Sequence, residues 1–266
     1  MNAPMSVIET PVTIVGADGM RIGIATNATR IADKAVLIVP APGETRTGPD
    51  RLYVRLAREL ARAGLPSLRF DPADGGDSRP TLRDGSAYRE DLIAAARQLL
   101  RLHPDSFVAV LAVGRAAGVI VREWQALVDA GVPLSALCLI DPSITPQAVT
   151  ARPAWWRRML GKHAQAVERS EPVLDGGERI DLPGEGQSWH ALPDAVRAAR
   201  ARMLVVARGD DSSSDAVVAF AQGDRRWRKA LRKSRGWLQI HGAEPGFTQA
   251  EHWRPLIEWL ARRLAD

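Results

Sequence analysis

Apolar residues recur along this chain with two periods. Short runs rich in β-branched side chains alternate with stretches where leucine returns every third or fourth position. Residues 11–15 and 20–25 read as two strands of a hairpin joined by Gly16 to Gly19. Residues 35–40 (AVLIVP) are continuously apolar, as expected of a strand covered on both faces. A helix follows over about 51–63, with Leu52, Leu56 and Leu60 on one side and Gly64 to stop it. The pattern then predicts a strand at 66–70, an Asp/Gly-rich turn at 71–77 and a helix at 88–102. A strand at 107–113 feeds a helix at 116–130, and further strands are expected at 134–140, 203–207 and 236–241. A helix at 249–264 closes the chain. Alternation of this kind predicts one α/β domain over residues 1–266, with a mostly parallel eight-stranded sheet and helices on both faces.

One interval breaks the alternation. Residues 145–200 hold no good strand; they contain Trp155, Trp156 and Trp189, and a Gly/Pro/Glu-rich stretch from 171 to 186. The expectation is a cap-like insertion after the sixth strand, a helical segment plus loop over the C-terminal edge where open α/β sheets bind ligands. A poorly ordered surface excursion is the competing reading. As a cap, it would place Trp155, Trp156, Trp189 and His190 around a ligand or partner cleft.

Composition narrows the classes. A chain of 266 residues with 45% hydrophobic content can bury a large core. The single cysteine, Cys138, excludes a disulfide framework. The longest apolar runs, such as 107–113, are too short to span a bilayer, and the start of the chain lacks a signal-peptide pattern. The expected location is cytoplasmic. No cofactor or metal is expected: His103, His163, His190, His241 and His252 are scattered, and Gly75-Gly76 lacks the lysine of a phosphate loop.

Net charge is +5, and seven basic residues lie between Asp224 and Arg235. Arg225, Arg226, Arg228 and Arg232 would stud a helix whose Trp227 and Leu231, four apart, face one side. Such a helix suits anionic lipid, polysaccharide or another polyanion. It equally suits a connector docked on the sheet, which is the preferred reading. No nucleic-acid partner is expected, because no recognition signature accompanies the charge; a peripheral membrane contact is the secondary reading.

The informative motif is FVAVLAVGRAAG, residues 107–118. A strand runs into Gly114-x-Ala116-x-Gly118 and a helix follows, the context of a nucleophile elbow. Its centre is Ala116, a methyl group with no lone pair. Upstream, residues 35–78 include LRFD-x-x-x-G-GDS. In these motifs the chain resembles the α/β-hydrolase superfamily, and more narrowly the hydrolases associated with exosortase systems of bacterial exopolysaccharide clusters. The narrower resemblance lies in Arg46 to Arg51 (RTGPDR), residues 156–161 (WRRMLG) and residues 243–260 (AEPGFTQAEHWRPLIEWL).

The resemblance implies the α/β-hydrolase fold and a triad of nucleophile, acid and histidine in that chain order. Position by position, the nucleophile falls on Ala116, the acid on Asp211 and the histidine on Pro245. The oxyanion-hole positions fall on Ala41 and Ala117, in a loop where Pro40 and Pro42 carry no N–H. Asp74 stands where relatives carry glycine. Two of three triad members are therefore missing, and the expected function is that of a catalytically degenerate protein. It would bind, scaffold or dock a partner (an active hydrolase paralogue or another protein), in exopolysaccharide production. Two alternatives stay open. One is a hydrolase or acyltransferase acting on an ester, thioester or amide through relocated residues, drawn from Ser143, Ser213, His241 and Asp141. The other is a lipid- or polyanion-binding adaptor.

Overall fold

The computed structural model describes residues 7–16, 19–28, 33–73, 75–77, 85–143, 185–209, 212–244 and 246–265, with backbone alone at 85–86, 185–187 and 212–216. Its strands are β1 (Ile8–Val15), β2 (Met20–Asn27), β3 (Lys34–Val39), β4 (Ser67–Phe70), β5 (Phe107–Val113), β6 (Leu134–Ile140), β7 (Arg202–Arg208) and β8 (Trp237–Ile240). They form one sheet in the order β1-β2-β4-β3-β5-β6-β7-β8. The pairs β1–β2 and β2–β4 are antiparallel, and every pair from β4 onward is parallel. The helices are α1 (Leu52–Arg62), α2 (Gly85–Leu102), α3 (Ala116–Asp129), α4 (Glu185–Ala198), α5 (Ser212–Gly223), α6 (Arg225–Ser234) and α7 (Ala250–Ala265).

The unbroken apolar runs of β3, β5, β6 and β7 follow from burial on both faces, since successive side chains point to opposite sides. Leu37, Val39, Val110, Leu137 and Val205 face a core shared with α2, α3, α4 and α6. Val36, Ile38, Leu111, Cys138 and Val206 face the other core, under α1 and α7. Helix α1 buries Leu52, Leu56 and Leu60 there, and Gly64, at φ +88°, turns the chain out of the helix.

The hairpin runs further than the apolar pattern, with Ile8 opposite Asn27. Its outer end is polar because Glu9 accepts from Arg58 (2.6 Å) and Arg69 (2.7 Å), tying the edge strand to α1 and β4. Deeper in, Arg21 and Asp91 pair at 2.8 Å with side chains 2% and 1% exposed, and Asp91 also accepts the Ala73 N–H at 2.7 Å.

The interval read as a cap needs a correction at its C-terminal end. Residues 185–198 form α4, a connecting helix between β6 and β7 that packs on α3 and α6. The sequence signal was weak because Pro193 sits inside the helix. Residues 144–184, with Trp155 and Trp156, lie outside the described residues. Helix α6 docks as a connector: Asp224 caps it by accepting the Arg226 and Trp227 N–H groups, while Trp227 and Leu231 are buried. No helix among the described residues is long and apolar enough to cross a membrane.

Candidate active site

Strand β5 ends at Val113, and the Gly114 N–H still bonds to the Ile140 carbonyl at 2.9 Å. Gly114 itself is left-handed at φ +54°, Arg115 is already αR, and Ala116 opens α3. The sharp turn is therefore centred two residues earlier than the Gly-x-Ala-x-Gly pattern suggests. The flanking small residues are Ala112 and Ala116, both fully buried. A Cβ added at Gly114 would meet nothing within 4 Å among the described residues, whereas Ala116 is enclosed in the core. Glycine takes the left-handed turn without a Cβ penalty, so the backbone places the bend there. Neither residue carries a heteroatom in its side chain.

Ala117, expected as a second oxyanion donor, gives its N–H to the Gly114 carbonyl at 3.2 Å. That amide closes the turn and does not face a cleft. Ala41 stands beside the turn: Val39 pairs with Ala112, so continuing the register brings Ala41 level with Gly114. Its N–H is present despite the flanking prolines, and it donates to Glu44 Oε2 at 2.9 Å. A tight turn returns Glu44 to this point, with Gly43 at φ +78° and the Glu44 N–H on the Ala41 carbonyl at 2.9 Å.

Two further groups gather on this carboxylate, and a third stands nearby. The Tyr53 hydroxyl, from buried α1, donates to Glu44 Oε2 at 2.6 Å. Arg115 Nη2 stands 3.7 Å from Glu44 Oε1. Tyr88, from α2, donates to the Pro40 carbonyl. Burial first, then the Glu44 charge and hydrogen bond, push the Tyr53 phenol far above its ordinary range, so it acts only as a donor. An internal anion thus holds the backbone donor that the fold's register sets beside the turn.

The relocated candidates lie at or just past the C-terminal ends of three neighbouring strands, β6, β7 and β8. Ser143 comes closest to the turn, its N–H on the Gly114 carbonyl at 3.1 Å and its side chain exposed. Asp141, left-handed at φ +45°, accepts from Arg208 Nε at 2.7 Å. His241 follows β8, two strands away from β6, roughly 10 Å at the usual strand spacing. Its ring lies against Gly209, at the end of β7. Ser213 is in the first turn of α5. Asp211 and Pro245, like Trp155 and Trp156, lie outside the described residues.

Among the described residues, Trp189 and His190 are taken up in helix packing. Trp189 is 1% exposed and accepts the Trp227 indole N–H on its carbonyl at 2.8 Å. His190 Nδ1 pairs with Asp224 Oδ2 at 2.9 Å, and its ring packs on Phe220 at 4.9 Å. Burial pushes the Asp224 carboxyl up, but hydrogen bonds from His190 and the Arg226 and Trp227 amides outweigh it and hold the pKa low. The physical reason is amphipathy: Trp189 faces the sheet side, where α6 covers it, and His190 is held at the junction of α4 with Phe220 and Asp224.

A second carboxylate–histidine pair escaped the sequence. Glu244 accepts from Thr248 Oγ1 (2.6 Å), the Gln249 N–H (2.7 Å) and His252 Nδ1 (2.7 Å). These bonds overcome desolvation and lower the Glu244 pKa to about 2. Arg55 of α1 grips the same loop through the Gly246 and Thr248 carbonyls, at 2.9 and 3.2 Å. The segment where a catalytic histidine was expected is thereby pinned to two helices. Among the described residues, no three His, Cys, Asp or Glu side chains stand together to hold a metal ion.

No protein-family model and no curated protein matches the sequence. Solved structures do match over nearly the whole chain. A dienelactone hydrolase from Anabaena variabilis superposes with TM-score 0.60 at 14% identity, covering 96% of each chain. A lidless α/β serine hydrolase from Xanthomonas campestris gives TM-score 0.60 at 14% identity, over 98% of this chain and 97% of that one. The Pyrococcus furiosus esterase Pf2001 gives 0.62 at 14% identity, over 97% and 90%. With the strand order, the crossover helices and the strand–turn–helix at Gly114, these likenesses establish the architecture: the chain has the α/β-hydrolase fold.

Proposed function

We propose that this protein is a catalytically degenerate α/β-hydrolase-fold protein that binds or docks a partner rather than turning over a substrate. One observation carries the reading: the Ala41 N–H, the donor beside the turn, is held by the protein's own Glu44 carboxylate. Acyl transfer by this fold needs a nucleophile at the turn and free donors where an oxyanion develops. Here the turn offers Gly114 and Ala116, and a carboxylate bound by Ala41 and Tyr53 occupies the donor. A second negative charge developing at that point would be repelled.

The resemblance of residues 35–78, 156–161 and 243–260 to exosortase-associated hydrolases supports a setting in bacterial exopolysaccharide production. There the natural partner is an active hydrolase paralogue or another protein of the same system. A host lacking this protein should lose exopolysaccharide, and a Ser143→Ala copy should restore it.

The catalytic half of the reading is tested with a fluorophosphonate probe and a panel of p-nitrophenyl esters. The expected result is no labelling and no turnover above a buffer control. Labelling that disappears in Ser143→Ala or Ser213→Ala would establish a relocated nucleophile and sink the proposal.

A further inference from the structure

Along the basic helix an open surface hollow of about 480 Å³ lies at the edge of the sheet opposite Gly114. Arg228 and Arg232 of α6, Arg235 just past its end, and Arg263 of α7 line it, over an apolar floor that includes Leu231 and Trp237. Positions 228, 231, 232 and 235 are spaced three or four apart, so one face of α6 supplies half of the wall. None of the lining residues is acidic.

Arginines collect at helix C-termini because exposed carbonyls attract cations, and both α6 and α7 end here. Those carbonyls, however, already have other donors. The Arg235 N–H bonds to the Arg232 carbonyl at 3.3 Å, the Gly236 N–H to Leu231 at 2.9 Å, and Ser234 Oγ to Ala230 at 2.9 Å. At the end of α7, Arg202 Nη2 donates to the Arg263 carbonyl at 2.5 Å, and Lys34 Nζ to Ala265 at 3.4 Å. Capping therefore does not account for the four arginines that line one open hollow. Guanidinium forks match phosphate oxygens two at a time. The volume suits a small organic molecule, and the apolar floor suits a carbon body behind the phosphate.

We infer that this cavity is a binding site for a phosphate-bearing molecule, held by Arg228, Arg232, Arg235 and Arg263. The inference is independent of the catalytic reading, because the cavity lies at the N-terminal end of β8, away from Glu44 and Gly114. It also sorts the basic residues of α6: Arg225 and Arg226 do not line the cavity, and Arg226 pairs with Asp194 at 3.3 Å.

The test is calorimetric titration of the full chain with pyrophosphate, and with phosphatidylcholine vesicles with and without phosphatidic acid. Wild type should bind one pyrophosphate per chain. Arg228→Ala/Arg232→Ala should weaken binding about tenfold or more, each lost charge-assisted contact being worth roughly that factor. Arg225→Ala/Lys229→Ala removes the same charge from residues outside the cavity wall and should change the affinity less than about twofold. Vesicle binding that needs phosphatidic acid, fails in the Arg228/Arg232 variant and is competed by pyrophosphate assigns a lipid headgroup as the source. Pyrophosphate binding without vesicle binding assigns a soluble phosphorylated molecule. No saturable binding, or equal weakening in both double variants, overturns the site and leaves only diffuse charge.

Discussion

The Glu44 carboxylate returns across a four-residue turn to accept the Ala41 N–H at 2.9 Å, while the Tyr53 hydroxyl donates to the same oxygen at 2.6 Å. Ala41 and Tyr53 are essentially buried, so both donors depend on this one acceptor. Glu44→Ala should destabilise the fold by about 1–3 kcal/mol, because it leaves buried donors unsatisfied. Glu44→Gln keeps an acceptor oxygen and should cost less, and Tyr53→Phe should cost about 1 kcal/mol. Urea unfolding of the three variants at neutral pH checks this; equal stability of Glu44→Ala and wild type would refute the arrangement.

A reporter thiol distinguishes the two centres of the turn. Cys138 is fully buried and its thiol is pushed up by desolvation, so the native chain should not react with Ellman's reagent. Gly114→Cys places a side chain in open space ahead of α3 and should give one fast-reacting thiol per chain. The left-handed backbone should cost about 1 kcal/mol for a non-glycine residue. Ala116→Cys, buried in the core, should react only on unfolding. The reverse pattern would return the centre of the turn to residue 116.

Acid should weaken the loop after β8. The folded-state pKa of Glu244 is lowered to about 2 from an ordinary 4.5. A lowered carboxylate pKa contributes stability above the unfolded value and loses it as pH falls through the folded one. The contribution is therefore complete above about pH 4.5 and disappears towards pH 2. Glu244→Gln should be less stable than wild type at pH 6, and the two should converge as pH approaches 2. Urea midpoints across that range read the difference, which would be absent if His252, Thr248 and Gln249 did not hold the carboxylate.

The Arg21–Asp91 pair is the most deeply buried ion pair among those between described residues. Asp91→Ala takes a countercharge from a buried guanidinium and frees the Ala73 N–H, and should cost about 3 kcal/mol. Arg21→Met/Asp91→Leu removes both charges and should recover a large part of that loss. A double-variant cycle by chemical denaturation gives the coupling; additive losses would show that the two groups do not share a bond.

The core strands were legible in the sequence because period and burial coincide there. Leu37 and Val39 alternate with Val36 and Ile38 across a sheet covered on both faces, and no other arrangement buries an unbroken apolar run so completely. The helical spacing of Leu52, Leu56 and Leu60, and the docking of Trp227 and Leu231, were legible for the same reason. Helix α4 was legible only as part of a helical insertion, since Pro193 and a polar N-terminal stretch hide its apolar stripe, and Trp189 looks like a cleft residue until α6 covers it.

What the chain alone determined about this protein is the strand–helix alternation and the lack of a heteroatom at Gly114 and Ala116, because both depend on residue identity and local period. Tertiary structure alone decided that Glu44 reaches Ala41 and Tyr53, that the bend sits at Gly114, and that Arg228 and Arg232 meet Arg263 around one cavity. Those relations join residues 3 to 35 positions apart and residues on different helices. Only the packing of the crossover helices on the sheet brings such positions within reach of each other.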